Sequence, residues 1–242
     1  MNTKALYDRW IRVKTQMEQA TLGCGRNIDE ITLIAVSKTH PFEAIESLYG
    51  HGQLHFGENR VQELVPKMES GGRLEESEEK QGTRKLVWHM IGTLQTNKIK
   101  YMSERVDWIH SVSKLKALDE IDKRAGEAGR TVNTLIQVNI SDESQKSGCE
   151  PDDLKELLLA SRGFRHLKVC GLMGMASLEA DLEVVRPQFK RLRELRDEYF
   201  VFNEGALQLK ELSMGMSHDM EVAIQEGATM IRVGTAIFGE RE

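Results

Sequence analysis

Cysteine is scarce in this chain: Cys24, Cys149 and Cys170 are its only three, far apart and without C-x-x-C spacing. That excludes a disulfide framework and a zinc site built on paired thiols, and predicts free thiols in a reducing, cytoplasmic setting. Long apolar runs are missing as well. The opening residues, Met1 to Asp8, carry charge where a secretory leader needs an apolar stretch, and no segment reaches membrane-spanning length. An excess of positive charge is also absent. Lys and Arg number 33 against 38 Asp and Glu, for a net charge of -5, so there is no footprint for nucleic acid or an anionic membrane, although a local phosphate pocket stays compatible.

What is present is ordinary globular composition, 29% charged and 40% hydrophobic over 242 residues, which suits one α/β barrel filling nearly the whole length as a single domain, 1–242. Leu6, Trp10, Val13 and Met17 recur in steps of four and three, predicting an N-terminal helix that runs to Gly23. Strands are expected at Ile31 to Lys38, Leu54 to Phe56, Leu86 to Ile91, Val106 to Ile109, Val132 to Val138, His166 to Leu172, Leu209 to Leu212 and Met230 to Val233. Helical patterns lie between them, including one with Ser217 as its N-cap. Eight strands alternating with helices predict a (β/α)8 TIM-type barrel, with an open doubly wound sheet as the competing arrangement. Glu69 to Lys85, acidic and without apolar period, reads as a flexible surface insertion.

In a barrel, chemistry gathers where strands end, and phosphate is commonly held after the last two. Lys38 closes the first strand. It is either a nucleophilic amine able to form a Schiff base or the point where the strand meets water. After strands seven and eight come Leu212-Ser213-Met214-Gly215-Met216-Ser217 and Arg232-Val233-Gly234-Thr235. Their glycines permit close backbone approach and Ser213 and Thr235 offer hydroxyls to phosphate oxygens, unless these residues serve only turns and caps. Arg232 points into the barrel mouth or spans the outer layer; pointing in, it needs an acceptor such as a pyridine nitrogen. Asn59 flanks a ring or its oxygen, or else starts a helix with Glu58. His89, inside an apolar strand, reads as a core histidine. His40, His55, His89 and His110 near strand ends raise a metal-dependent hydrolase as a further reading, but close His or carboxylate pairs with metal-site spacing are absent.

Ala35-Val36-Ser37-Lys38-Thr39, Phe56-Gly57-Glu58-Asn59, Trp88-His89-Met90-Ile91-Gly92, Gly171-Leu172-Met173, Leu212 to Ser217 and Arg232 to Gly239 together resemble the pyridoxal phosphate homeostasis proteins. The blocks run in order from first strand to last. The resemblance implies a barrel like the N-terminal domain of alanine racemase, with Lys38 in Schiff-base linkage to pyridoxal 5′-phosphate. It places Ser213, Gly234 and Thr235 on the phosphate, Arg232 against the pyridine nitrogen and Asn59 beside the ring. It also implies a carrier or buffer with no established turnover, with apo-enzymes as transient recipients, as a monomer or weak homodimer. An amino-acid racemase is the enzymatic alternative. Two-base racemisation needs a second acid/base, which alanine racemases draw from a C-terminal β-domain, whereas this sequence ends a few residues after its last strand.

Overall fold

The computed structural model describes residues 2–78, 84–141, 147–178 and 181–240. Its first element is the expected helix α1, Thr3–Gly23, capped by Asn2, whose side chain accepts from the Ala5 N–H at 3.1 Å. The periodic residues Leu6, Trp10, Val13 and Met17 are buried. Trp10 Nε1 donates to Gln53 Oε1 at 3.0 Å, so the one polar atom of a buried indole is satisfied.

Strand and helix then alternate through the chain, with a short 3-10 helix, Thr96–Tyr101, standing in for one of the α-helices. The elements are β1 Thr32–Val36, α2 Phe42–Gly50, β2 His55–Glu58, α3 Val61–Glu78, β3 Val87–Met90, β4 Trp108–Val112, α4 Leu115–Glu127 and β5 Val132–Gln137. They continue with α5 Pro151–Ser161, β6 Leu167–Met173, α6 Leu182–Tyr199, β7 Leu207–Ser213, α7 Met220–Gln225, β8 Met230–Val233 and α8 Thr235–Phe238. All neighbouring strands are parallel and the sheet closes, because β1 pairs with β8 from Thr32↔Met230 to Ala35↔Val233. The barrel therefore holds, and the open sheet does not.

Closure sets which side chains face inward. Ile34, Leu135, Met173 and Met230 form a small apolar cluster of their own, apart from the large core that joins the strands to the helices. With period two along a strand, the face that carries Ile34 also carries Val36 and, just beyond the strand, Lys38. α1 lies against the last turns of the chain, where Arg9 donates to the carbonyls of Ile237 at 2.8 Å and Phe238 at 3.2 Å.

Three expectations need correction. β2 runs past Phe56 through Gly57 and Glu58, because Gly57 pairs with both Val36 and His89 and a Cβ there would meet Ile34 Cγ2 at 3.0 Å. β4 begins at Trp108 and not at Val106, whose N–H is taken by the Met102 carbonyl at 2.9 Å in the preceding turn. The supposed flexible insertion is helical over its first half, since α3 continues to Glu78. Gly71 there is a close-packing point: a Cβ would come within 2.8 Å of Trp88 Cζ2 and 2.9 Å of Leu86 Cδ1. Glu75 Oε1 also accepts from the Leu86 N–H. An acidic stretch without a long apolar stripe can still be a helix where a glycine lets it sit against an indole. Residues 79–83 of that stretch lie outside the described residues.

Candidate functional site

Lys38 stands in the turn after β1, half-buried, between two residues whose backbones are tied down. The Ser37 N–H donates to the Gly57 carbonyl at 3.0 Å and the Thr39 N–H to Glu63 Oε2 at 2.6 Å. Lys67 Nζ reaches the Ser37 carbonyl at 2.8 Å and Glu58 Oε1 at 2.6 Å, while Ser37 Oγ donates to the same carboxylate oxygen at 2.7 Å. Glu63 and Lys67 are four residues apart on α3, so one helix face grips the lysine-bearing turn. Burial raises the Glu58 carboxyl above its ordinary range, with Lys67 opposing. Its Oε2 is buried without a hydrogen-bond partner among the described residues. Thr39 takes φ +67°, a left-handed conformation uncommon for threonine, in the turn that carries Lys38.

Five of the six candidate residues, Lys38, Asn59, Arg232, Gly234 and Thr235, line one cavity of about 650 Å³ at the carboxyl ends of the strands. β1 and β8 being hydrogen-bonded neighbours, Lys38 and the Gly234-Thr235 step leave adjacent strand ends. The wall between Asn59 and Ile91 is tight. A Cβ on Gly92 would lie 2.1 Å from the Asn59 carbonyl oxygen, so only glycine lets the two backbones meet there. Arg232 points inward, 4% exposed, and spends two of its donors on Ser213 Oγ at 2.6 Å and the Gly174 carbonyl at 3.1 Å. Burial pulls its pKa down to about 10, with Asp219 opposing, so it remains a cation at neutral pH.

Ser213 does not line the cavity. As the last residue of β7 it is fully buried, and its hydroxyl is engaged by Arg232 and by His110 Nδ1 at 2.9 Å. Ser217, four residues on, does line it. The expected helix cap at Ser217 is also displaced: α7 starts at Met220 with Asp219 before it, and Asp219 Oδ1 accepts from the Met216 N–H at 2.6 Å. This releases the Ser217 hydroxyl toward the mouth, where it accepts from the Ala236 N–H at 3.4 Å.

Residues 25–242 match the family described as alanine racemase, N-terminal domain. Over 235 residues the chain is 43% identical to the pyridoxal phosphate homeostasis protein of Aquifex aeolicus strain VF5, covering 97% of this chain and 98% of that one. The chain belongs to the pyridoxal phosphate homeostasis protein family. The Escherichia coli K12 family member is 40% identical over 231 residues, 96% of this chain and 94% of its own. Among solved structures, PipY of Synechococcus elongatus with PLP bound superposes with a TM-score of 0.81 at 35% identity, over 97% of this chain and all of that one. An alanine racemase from Streptomyces lavendulae superposes at 0.72 with 16% identity, over 99% of this chain and 58% of its own, a likeness of fold alone.

The family resemblance did not foreshadow what lies under the cavity. His55, His89 and His110, expected as scattered histidines, are joined in series: His55 Nδ1 to His89 Nε2 at 3.0 Å and His89 Nδ1 to His110 Nε2 at 2.9 Å. They sit on three successive strands, so no short sequence spacing announces them. Among the described residues no group of three or more His, Cys, Asp or Glu side chains is placed to hold a metal ion. Nor is any described helix long and apolar enough to cross a membrane.

Proposed function

We propose that this chain binds pyridoxal 5′-phosphate at the carboxyl ends of its barrel strands, with Lys38 as covalent anchor, and holds the cofactor for release in place of turning over a substrate. The observation that carries the reading is the convergence of Lys38, from the end of β1, with Arg232, Gly234 and Thr235, from the end of β8, on one cavity. The donor set fits the cofactor's three functional regions. A primary amine faces the space that an aldehyde needs, a buried guanidinium suits an unprotonated ring nitrogen, and the Thr235 and Ser217 hydroxyls beside Gly234 suit a phosphate. Bound there, the cofactor supplies an electrophilic aldehyde on a pyridine ring. Lys38 Nζ would hold that aldehyde carbon as a Schiff base, with loss of water, and an incoming primary amine would take the aldehyde over and free Lys38. Arg232 keeps its proton at neutral pH, so it donates to the ring nitrogen without protonating it, which makes the ring a weak electron sink. Asn59 flanks the ring from the β2 side.

Family membership and the PLP-bound PipY structure support the cofactor assignment. The same reading makes residues 1–242 one cofactor-binding barrel domain that acts in the cytoplasm as a monomer or weak homodimer. Its recipients are apo-enzymes that accept the cofactor transiently, and no nucleic acid or membrane takes part.

The decisive experiment is the absorbance spectrum of the purified protein titrated with pyridoxal 5′-phosphate, followed by borohydride reduction and peptide mapping. A band from the lysine-linked cofactor that Lys38→Ala abolishes, with the reduced label on Lys38, is the expected result. A label on Lys67 or another lysine overturns the site. Exchange of alanine or serine enantiomers at ordinary enzyme rates overturns the carrier role in favour of a racemase.

A further inference from the structure

Through the barrel interior runs an unbroken series of hydrogen bonds that the binding of a cofactor at the mouth does not require. It starts at His55, the first residue of β2, which borders a separate cavity of about 410 Å³ at the amino ends of the strands. It passes through His89 on β3 and His110 on β4, both fully buried, crosses to Ser213 on β7 and ends on Arg232 of β8. Trp108 lies parallel to His89, with ring centroids 6.0 Å apart and planes 9° apart, which fixes that imidazole's plane.

The direction of the series follows from its fixed end. A guanidinium only donates, so Ser213 Oγ accepts from Arg232, and its hydroxyl hydrogen is satisfied by donation to His110 Nδ1. His110 then carries its proton on Nε2 and donates to His89 Nδ1. His89 in turn carries its own on Nε2 and donates to His55 Nδ1. Every ring nitrogen in the interior is used once, and no charge is needed between His55 and Arg232.

Resting on the reading of the cavity as a cofactor site, we propose that His55, His89, His110 and Ser213 form a directional relay that positions Arg232 as a donor beneath the cofactor ring and couples it to the protonation of His55 at the opposite end of the barrel. When His55 takes up a proton, both its nitrogens become donors. His89 must then accept on Nε2 and move its single proton to Nδ1, and His110 must do the same. One proton is gained at His55 and each of the other two rings keeps one. Ser213 Oγ now accepts from both Arg232 and His110, so its own hydroxyl hydrogen has to leave the relay. The Arg232–Ser213 bond loses the reinforcement that came from Ser213 donating onward.

The groups facing the titrating end are defined. Asp107, before β4, favours the charged form of His55, while burial disfavours it more strongly. Lys14 and Glu18 of α1 and Asp29 ahead of β1 line the same lower cavity. At the other end Arg232 faces His110, and Asp219 faces Arg232. His89 and His110 are held neutral by burial first and by their charged or titratable neighbours second.

The test uses the full chain without cofactor, labelled with 15N-histidine, and two-bond proton–nitrogen NMR spectra recorded from pH 8 downward. At pH 8 His89 and His110 should both carry the proton on Nε2. Both should switch to Nδ1 with the midpoint at which His55 becomes doubly protonated, and the switch should be lost in His55→Gln. A proton on Nδ1 of either ring at pH 8, or tautomers that ignore His55, overturns the relay. With pyridoxal 5′-phosphate added, the dissociation constant of the parent should rise by about two- to tenfold across that midpoint, the size of one weakened hydrogen bond, beyond any rise in His55→Gln. Identical pH courses in the two proteins overturn the coupling to the ring. Failure of the parent to form the lysine-linked band is a separate result, which removes the cofactor reading and leaves the tautomer measurement standing.

Discussion

Lys67 Nζ lies 2.6 Å from Glu58 Oε1 in a pair of which the carboxylate is wholly buried, and the same ammonium holds the carbonyl of Ser37, the residue before Lys38. Lys67→Met removes the ammonium and leaves Glu58 with Ser37 Oγ as its remaining partner. Breaking a buried pair from one side typically costs about 3–5 kcal/mol. Because the raised carboxyl can take a proton, the loss in this variant should shrink as pH falls toward 5. Urea unfolding of parent and variant at pH 7.5 and pH 5 checks both statements. An equal loss at the two pH values would mean that Glu58 stays ionised in the variant.

Gly71 and Gly23 make a matched pair of helix glycines. A methyl on Gly71 enters the space of Trp88 and Leu86, whereas one on Gly23 meets nothing within 4 Å among the described residues. Overpacking against a buried indole costs about 1–3 kcal/mol, while a helix alanine in open space is neutral or stabilising by up to about 1 kcal/mol. Gly71→Ala should therefore lower the thermal midpoint and quench or shift the Trp88 fluorescence, and Gly23→Ala should do neither. Equal behaviour of the two would mean that the later part of α3 is not docked on β3.

These cases mark where the sequence was legible. Barrel, N-terminal helix and strand-end lysine could be read because each rests on local periodicity or on a residue's place at the end of an apolar run. The helical half of the Glu69 to Lys85 stretch could not, because its docking depends on Gly71 meeting Trp88, seventeen positions away and on another element. Ser213 and Ser217 were both visible as hydroxyls after β7, but which one reaches the cavity is decided by where the closed barrel places each, Ser213 inside it against Arg232 and His110 and Ser217 in the loop at its mouth. The histidine series was opaque for the same reason. Single histidines on β2, β3 and β4 acquire a joint role only through the register of the closed sheet.

The buried histidines give stability a defined pH dependence. In the folded chain burial keeps His89 and His110 neutral well below the ordinary 6.5, so the unfolded chain binds protons that the fold refuses. Their contribution is complete above pH 6.5 and is lost as pH falls below it. The limiting slope is about 1.4 kcal/mol per pH unit for each ring. Urea unfolding between pH 7.5 and 5 should show stability falling by about 2–3 kcal/mol per unit at the steepest, and His110→Phe should take about 1.4 kcal/mol per unit off that slope. A flat profile would require these rings to be protonated in the fold.

The two serines after β7 separate retention from support. Ser217 is exposed at the cavity mouth, so Ser217→Ala removes a hydroxyl proposed for the phosphate while the fold keeps its packing. Cofactor affinity should drop by about two- to tenfold with the unfolding curve unchanged. Ser213→Ala deletes the acceptor of Arg232 and the partner of His110 inside the barrel. That leaves buried polar groups unpaired at a cost of about 1–3 kcal/mol, which urea unfolding should register even without cofactor. The reverse pattern, with Ser213→Ala weakening retention at unchanged stability and Ser217→Ala silent, would restore Ser213 as a phosphate ligand. It would also mean that the Arg232–Ser213 bond opens when the site is loaded.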